Sequence, residues 1–423
     1  MRAFLIAVAA CSLLAAPASA QASKHPPKRK GGEVRRIHNL PKRPLARFLA
    51  RQIGPVKAVP KARKRALLAH TSAVTPSFVA DSSGNHKLYL ARSYDIPADD
   101  PSAPRLANLS WTYDSAITAI AFDSYGAVYA AQELLDQLKA LQRTDGSLDF
   151  AYDVSNGDSV QQFRTGTIAW VGYAAMLHEL KTGNGKYNSL ISGTVDWLLQ
   201  RQNATTGLLT GGPDVSWVST QNNMVAYLLF SALAGHPIGD LKASDMSAVA
   251  NKIAAGIDSR LTITPATGQL GFVQGLNDPV RPLDAQTLGV QYLVARNRAA
   301  DAAKVRAYID AAFKVTNRTI TKSSATATYN MTYAAAGPFT GYRPYAGGGP
   351  DVLWEEGTAQ ALVATDLLGQ DDSAQNLALA AWGAVGPLQA DRTVTNSSVN
   401  EYHVWPASAA ASWMMLAAFG LPR

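Results

Sequence analysis

From about Trp111 onward the chain alternates two kinds of apolar segment. One kind is apolar on every side and begins at "TYDSAITAI", "RTGTIAWVG", "STQNNMVAY", "PLDAQTLGV", "WEEGTAQAL" and "WPASAAASW". The other is amphipathic: "AVYAAQELLDQLKALQ", "NSLISGTVDWLLQ", "SDMSAVANKIAAGI", "DAAKVRAYIDAAFKV" and "SAQNLALAAWGAV". A helix apolar all round is buried on all sides, whereas an amphipathic one covers a core and faces water. The pattern therefore predicts six inner helices and an outer layer. Short polar turns such as "LKTGNGKYN" and "LLGQDDS" join an inner helix to the outer one after it, which makes each pair an antiparallel hairpin.

The longer loops repeat too. "RTDGSLDF", "ATTGLLTG", "PATGQLGF" and "PFTGYRPY" share a glycine at 146, 207, 268 and 341, at intervals of 61, 61 and 73 residues. A fifth loop, "ADRTVTNSSVNEYHVWP", lacks the glycine but holds the same place. Six inner and five outer helices fit an all-α closed ring, an (α/α)6 toroid over residues 111–423. The sixth outer helix either precedes Trp111 or is missing. An open solenoid of hairpins is the competing arrangement, but it needs polar capping repeats that the chain lacks.

Charge divides the chain. Residues 21–70 hold fifteen Lys/Arg and one acid, Glu33; without them and Arg2, 23 basic and 30 acidic residues remain, a net −7. This basic, Pro-rich, aromatic-poor stretch reads as a disordered tail suited to an anionic envelope surface rather than to nucleic acid. Residues 71–110, including "DSSGNHKLYLARSYDIP", read as a short β-hairpin or extended arm. Residues 1–20, "MRAFLIAVAACSLLAAPASA", have the form of a secretory signal cleaved after Ala20, which implies a secreted or periplasmic protein. A lipoprotein site at Cys11 is the alternative. Cys11 is the sole cysteine, so the mature chain has no disulfide and must rely on its core.

Aligning the starts of the inner helices sets one residue per hairpin at one height: Asp114, Gly166, Gln221, Asp284, Glu356 and Ala407. All six helices enter the core in the same direction, so Asp114, Asp284 and Glu356 converge on one rim. Glu355 and Glu356 are about 100° apart around the helix, so only Glu356 faces the axis. The competing reading makes each acid a first-turn residue that favours the helix dipole by about 0.3–1 kcal/mol. Aromatic residues crowd the same level: Trp111, Tyr113, Phe163, Trp217, Tyr342, Tyr345, Trp354, Tyr402 and Trp405. Some would plug the ring. The others, set among acids at a cleft mouth, offer flat apolar faces to pyranose rings.

In these features the sequence resembles the six-hairpin glycosidase superfamily, the (α/α)6-barrel carbohydrate-active enzymes. The resemblance spans about Trp111–Gly420 and rests on the hairpin rhythm with "WTYDSA", "PLDAQT", "WEEGTAQA" and "EYHVWPASAAASW". It implies a catalytic acid at the start of the first hairpin, a position where this chain has Asp114 and glutamate is more usual, and a second carboxylate further round.

Helices pack roughly 8–10 Å apart, so opposite members of a six-helix ring lie roughly 20 Å apart and their inward carboxyls come within roughly 10 Å. That spacing suits inversion better than retention. Glu356, beside Trp354, is the expected general acid, with Asp114 or Asp284 as base. The expected substrate contacts are Trp111, Tyr113, Trp217, Gln221, Tyr342, Tyr345, Trp354, Glu355, Tyr402, His403 and Trp405.

Two alternatives stay open. A uronate lyase could draw on "STQNN", "EYHVW" and Arg164, Arg281 and Arg343; a non-catalytic glycan-binding scaffold is consistent with Gly166 and Ala407 at rim positions. Few histidines argue against a metal site, and His178 reads as a packed helix residue. "AGGGPD" follows no strand and has no Lys-Ser/Thr, so it is no phosphate loop. No cofactor is expected, and a monomer is.

Overall fold

Residues 42–55, 87–96, 103–320, 336–347, 353–370 and 406–422 are described by the computed structural model. Numbered in chain order, its helices are α1 (Lys42–Gln52), α2 (Ala103–Leu106), α3 (Thr112–Tyr125), α4 (Val128–Leu141), α5 (Thr165–Thr182), α6 (Asn188–Leu199), α7 (Thr220–Gly235), α8 (Ala243–Arg260), α9 (Leu283–Ala295), α10 (Ala299–Phe313), α11 (Glu355–Leu367) and α12 (Ser408–Phe419). The signal-like residues 1–20, "SAQNLALAAWGAV", Tyr402, His403 and Trp405 lie outside the described residues.

The apolar helices α3, α5, α7, α9, α11 and α12 form the inner wall. Each packs against the next, and α12 returns onto α3, so the ring is closed rather than an open solenoid. In α12 every residue from Ser408 to Ala418 is buried, as its uniformly apolar sequence requires. Outside the wall, α4, α6, α8 and α10 pack on α3, α5, α7 and α9. Polar pairs bridge the inner helices: the Thr118 and Ser412 hydroxyls are 3.0 Å apart, and His178 Nδ1 meets Asp123 at 2.9 Å with both side chains buried. His178 is thus a packed residue, as its sequence context suggested.

The sixth outer helix is α1, which packs on α12 and α3. Expected disorder is corrected at this point of the basic stretch. Leu45, Phe48, Leu49 and Gln52 recur at i, i+3, i+4 and i+7 and are all buried, with Arg47 and Arg51 exposed. One apolar stripe, laid into the groove between the last and first inner helices, outweighs the local charge. Residues 87–96 then run along the rim in extended form, with bridges Ile53↔Ala91 and Tyr94↔Ala407 and no hairpin of their own.

The long loops lie on the N-terminal rim and are laced together. The first amide of each of five inner helices donates to a carbonyl outside its own helix: Thr112 to Phe150, Thr165 to Gly211, Thr220 to Gln274, Leu283 to Pro344 and Ser408 to Ser93, at 2.7–3.0 Å. These bonds take over part of the work of side-chain caps, since only Ser219 caps its own helix among the inner six. Loop strands add short sheets: β1 (Leu109–Trp111), β2 (Ala151–Asp153) and β3 (Ser159–Val160) are antiparallel, as are β4 (Thr262–Ile263) with β5 (Gly271–Phe272), and β6 (Lys314–Ile320) with β7 (Ala336–Tyr342).

Three of the four repeat glycines are one device. Gly146, Gly207 and Gly268 have φ of 84°, 72° and 77°, the left-handed region that side chains disfavour. A Cβ on Gly146 would lie 1.9 Å from the Gly193 carbonyl of α6, and one on Gly207 would lie 2.5 Å from that of Lys252 in α8. Gly341 differs. It sits in β7, and it is small because Leu353 presses on it.

Candidate active site

Three acids stand in the first turns of inner helices: Asp114 in α3, Asp284 in α9 and Glu356 in α11. If they served only the helix dipole, they would bond their own backbone amides and have lowered pKa values. Only Asp284 bonds locally, its Oδ1 accepting from the Ala285 amide at 2.7 Å. Glu356 Oε1 instead accepts from the Tyr113 hydroxyl of α3 at 2.8 Å and from Gln360 Nε2 at 3.3 Å. Asp114, 5 % exposed, is bonded by the Ser93 hydroxyl from the extended arm.

All three carboxyls hold protons more tightly than usual. Glu356 rises to about 8, chiefly through burial and then through the negative charges of Asp114 and Asp284. Asp114 rises to about 7 through burial, against the Ser93 bond. Asp284 rises to about 6 through burial, against its amide bonds. The two aspartates act on Glu356 because three helices far apart in sequence aim their first turns into one mouth. No cation is among the main causes at any of the three.

An aromatic wall backs the acids. Tyr113 packs edge-on to Trp170 of α5 at 5.6 Å, and Trp170 packs edge-on to Trp413 of α12 at 5.9 Å. Trp413 Nε1 donates to the Tyr113 hydroxyl at 2.8 Å. Thr287 of α9 donates to Gln360 Oε1 at 2.9 Å, so a second inner helix steadies the amide beside Glu356.

The other residues expected to bind substrate fall into two groups. Gln221 stands in the first turn of α7, half-buried at the height of the acids, and Trp217 is 39 % exposed on the rim loop before it. Trp111, Tyr345 and Trp354 are half-buried on the rim, Trp111 against Phe150 and Trp354 against Gly357. Two others turn inward to the protein. Tyr342 is fully buried; its hydroxyl accepts from Arg306 at 2.9 Å and donates to Asp310 at 2.7 Å, because β7 directs it toward the outer helix α10. Glu355 is fully buried as well, rotated away from the axis by its one-residue offset from Glu356.

Ser93, Trp170, Gln360 and Trp413 were not singled out from sequence. Trp170 and Gln360 each lie four residues after a rim-height residue, Gly166 and Glu356, so they share its helix face one turn deeper. That spacing was a usable signal. Ser93 gave none.

No protein-family model and no curated protein sequence matches this chain. Solved structures do resemble it. A glutamate-to-alanine variant of a glycosidase superposes with TM-score 0.58 at 13% identity, over 88% of this chain and 96% of that one. Another glutamate-to-alanine variant of a glycosidase, in complex with glucose, gives 0.57 at 14% over 88% and 96%. A D-mannose isomerase gives 0.52 at 14% over 86% and 99%. The chain has the fold of these structures. Among the described residues no cluster of His, Cys, Asp and Glu could hold a metal ion, and no helix is long and apolar enough to cross a membrane.

Proposed function

We propose that this protein hydrolyses glycosidic bonds in a poly- or oligosaccharide, with Glu356 as general acid and Asp114 or Asp284 as general base. The observation that carries the reading is the meeting of three carboxyls from separate inner helices at one mouth, where Glu356 bonds Tyr113 of α3 and is pushed up by burial and by the charges of Asp114 and Asp284. A general acid must hold its proton at the working pH while its partner has lost its own, and a split pair of carboxyls meets that need. Glu356 gives its proton to the glycosidic oxygen as the bond from C1 to that oxygen breaks. A water attacks C1, and the ionised aspartate takes the proton that the water loses. Exchange with solvent then returns one proton to Glu356 and removes one from the aspartate.

Inversion is the stereochemistry we propose, with Asp114 the favoured base, because Asp284 and Glu356 come from the adjacent helices α9 and α11, whereas Asp114 and Glu356 come from helices separated by α12. Such placement leaves room for a water between base and sugar. Glycosidases among the solved structures of this fold are consistent with this reading, but an isomerase shares the fold, so the argument rests on the carboxyls.

Three acids with no cation among the main causes of their shifts are what hydrolysis uses, whereas uronate elimination needs a cation at the same mouth. A lyase must neutralise the substrate carboxylate; Arg281 is bonded to Tyr308 and Arg164 meets Asp214 at 3.5 Å, so of the three arginines a lyase could draw on, Arg343, whose Nε has no partner among the described residues, is the one left to serve it. The test is purified protein against a panel of neutral and acidic glycans, read by reducing ends and by ultraviolet absorbance. Reducing ends without absorbance, lost in Glu356→Gln, are expected. Absorbance appearing on a uronate polymer, or no turnover of any glycan, would overturn the proposal.

A further inference from the structure

Two hydroxyls in the site have their hydrogen direction fixed by the donors behind them. An indole N–H can only donate. Trp413 Nε1 therefore occupies an acceptor side of the Tyr113 oxygen, and the nearest described acceptor left for the phenolic hydrogen is Glu356 Oε1 at 2.8 Å. Ser93 repeats the pattern. Its Oγ accepts from the Trp111 amide at 2.8 Å, which leaves its hydrogen for Asp114.

At Glu356 the consequence is an asymmetry within one carboxyl. Oε1 receives the Tyr113 hydroxyl and the Gln360 amide, both donors, so a proton on that oxygen would face two other hydrogens. We infer that the acidic proton of Glu356 resides on Oε2, and that Tyr113, held by Trp413, is the positioning residue that places it there. The inference rests on the reading of Glu356 as general acid and deepens it by naming the oxygen that gives up the proton. Tyr113 holds its own proton throughout, since burial and the charge of Glu356 push its pKa well above the usual phenol value. Asp114 and Asp284 are the other titratable groups that act on Glu356.

The arrangement has a use. A free carboxylic acid can place its proton on either oxygen, and only one of the two can face a leaving group. Fixing the hydrogen-bond acceptor role on Oε1 removes the wasted half and keeps the donor oxygen in one orientation, the preorganisation that acid catalysis gains from.

The experiment is infrared difference spectroscopy on full-length protein labelled with carbon-13 glutamate, with the Glu356 band assigned by its loss in Glu356→Gln. If Oε1 is the carbonyl oxygen of the protonated acid, Tyr113→Phe removes a hydrogen bond from that carbonyl. Its C=O stretch then rises in frequency, and the titration midpoint moves up from the wild-type value. Trp413→Phe should move the band the same way by less, and it serves if Tyr113→Phe does not fold. A band at the wild-type frequency in the variant that folds would place the proton on Oε1 and overturn the inference. Hydrolysis of the glycan panel is scored separately. A band that moves in a protein that cleaves no glycan would refute the hydrolase reading while leaving the proton placement standing.

Discussion

Replacing Glu356 with glutamine should abolish turnover and, at alkaline pH, make the protein more stable. A carboxyl whose pKa is raised on folding is held at a cost once it ionises. Below about 4.5, its ordinary value, both folded and unfolded states keep the proton and nothing is lost; above about 8 both have released it and the full penalty applies. Taken at face value, that rise costs about 5 kcal/mol at 1.36 kcal/mol per pKa unit. Solvent reaches the half-buried Glu356 and screens it, so about 2–3 kcal/mol is the reasonable expectation. Glutamine keeps the size and the Oε1 acceptor for Tyr113, and it never ionises. Thermal denaturation of wild type and Glu356→Gln at pH 5 and pH 9 is the assay. The variant should match wild type at pH 5 and melt about 2–4 °C higher at pH 9. A variant whose margin over wild type is no larger at pH 9 than at pH 5 would refute the claim that Glu356 is strained by burial beside two other acids, and with it the reason for choosing it as the acid.

Four further outcomes follow from the same geometry. The rate should be bell-shaped in pH, with an alkaline limb near 8 from Glu356 and an acid limb, from the aspartate that acts as base, well above the usual carboxylate range. Ser93→Ala removes the hydroxyl that favours ionised Asp114, so if Asp114 is the base the acid limb should move to higher pH, with Tm serving as the control for folding. Trp217→Ala should raise KM for long oligosaccharides several-fold and leave kcat on a short aryl glycoside within about two-fold, because a stacked ring on an exposed rim indole is worth about 0.5–1.5 kcal/mol. Phe48→Ala should cost about 3–5 kcal/mol in denaturant unfolding, since this fully buried ring anchors α1 to the inner wall.

Much of the fold was legible from hydrophobic pattern. The six apolar segments are the six inner helices, and the acids aligned in the sequence do stand in first turns. What hid α1 was the weighting of charge over spacing. Three arginines and a lysine in eleven residues read as a solvated tail, although Leu45, Phe48 and Leu49 already traced one helical face. Gly341 misled in the opposite way, since a glycine needed for close packing looks in sequence like one needed for a left-handed turn. Tyr342 and Glu355 show the limit for site residues. Proximity to the rim in sequence fixes height, but the direction of a side chain depends on its rotation about the helix or its face of a strand. Ser93 lies outside the repeat, and nothing in its neighbours announces that it meets Asp114.

The first and last described helices share one seam. Helix α1 fills the groove beside α12, and the Ser408 amide bonds to Ser93, so residues made early in synthesis complete a wall whose last helix comes more than 350 residues later. Four or five hairpins can stack as they emerge, but the circle stays incomplete until both extremities are present together. The loop-closure entropy of joining them is the largest in the molecule, because it spans most of the chain. Removing α1 or α12 would therefore act at a distance, loosening the support of Asp114 and hence the chemistry, while leaving the intervening helices paired.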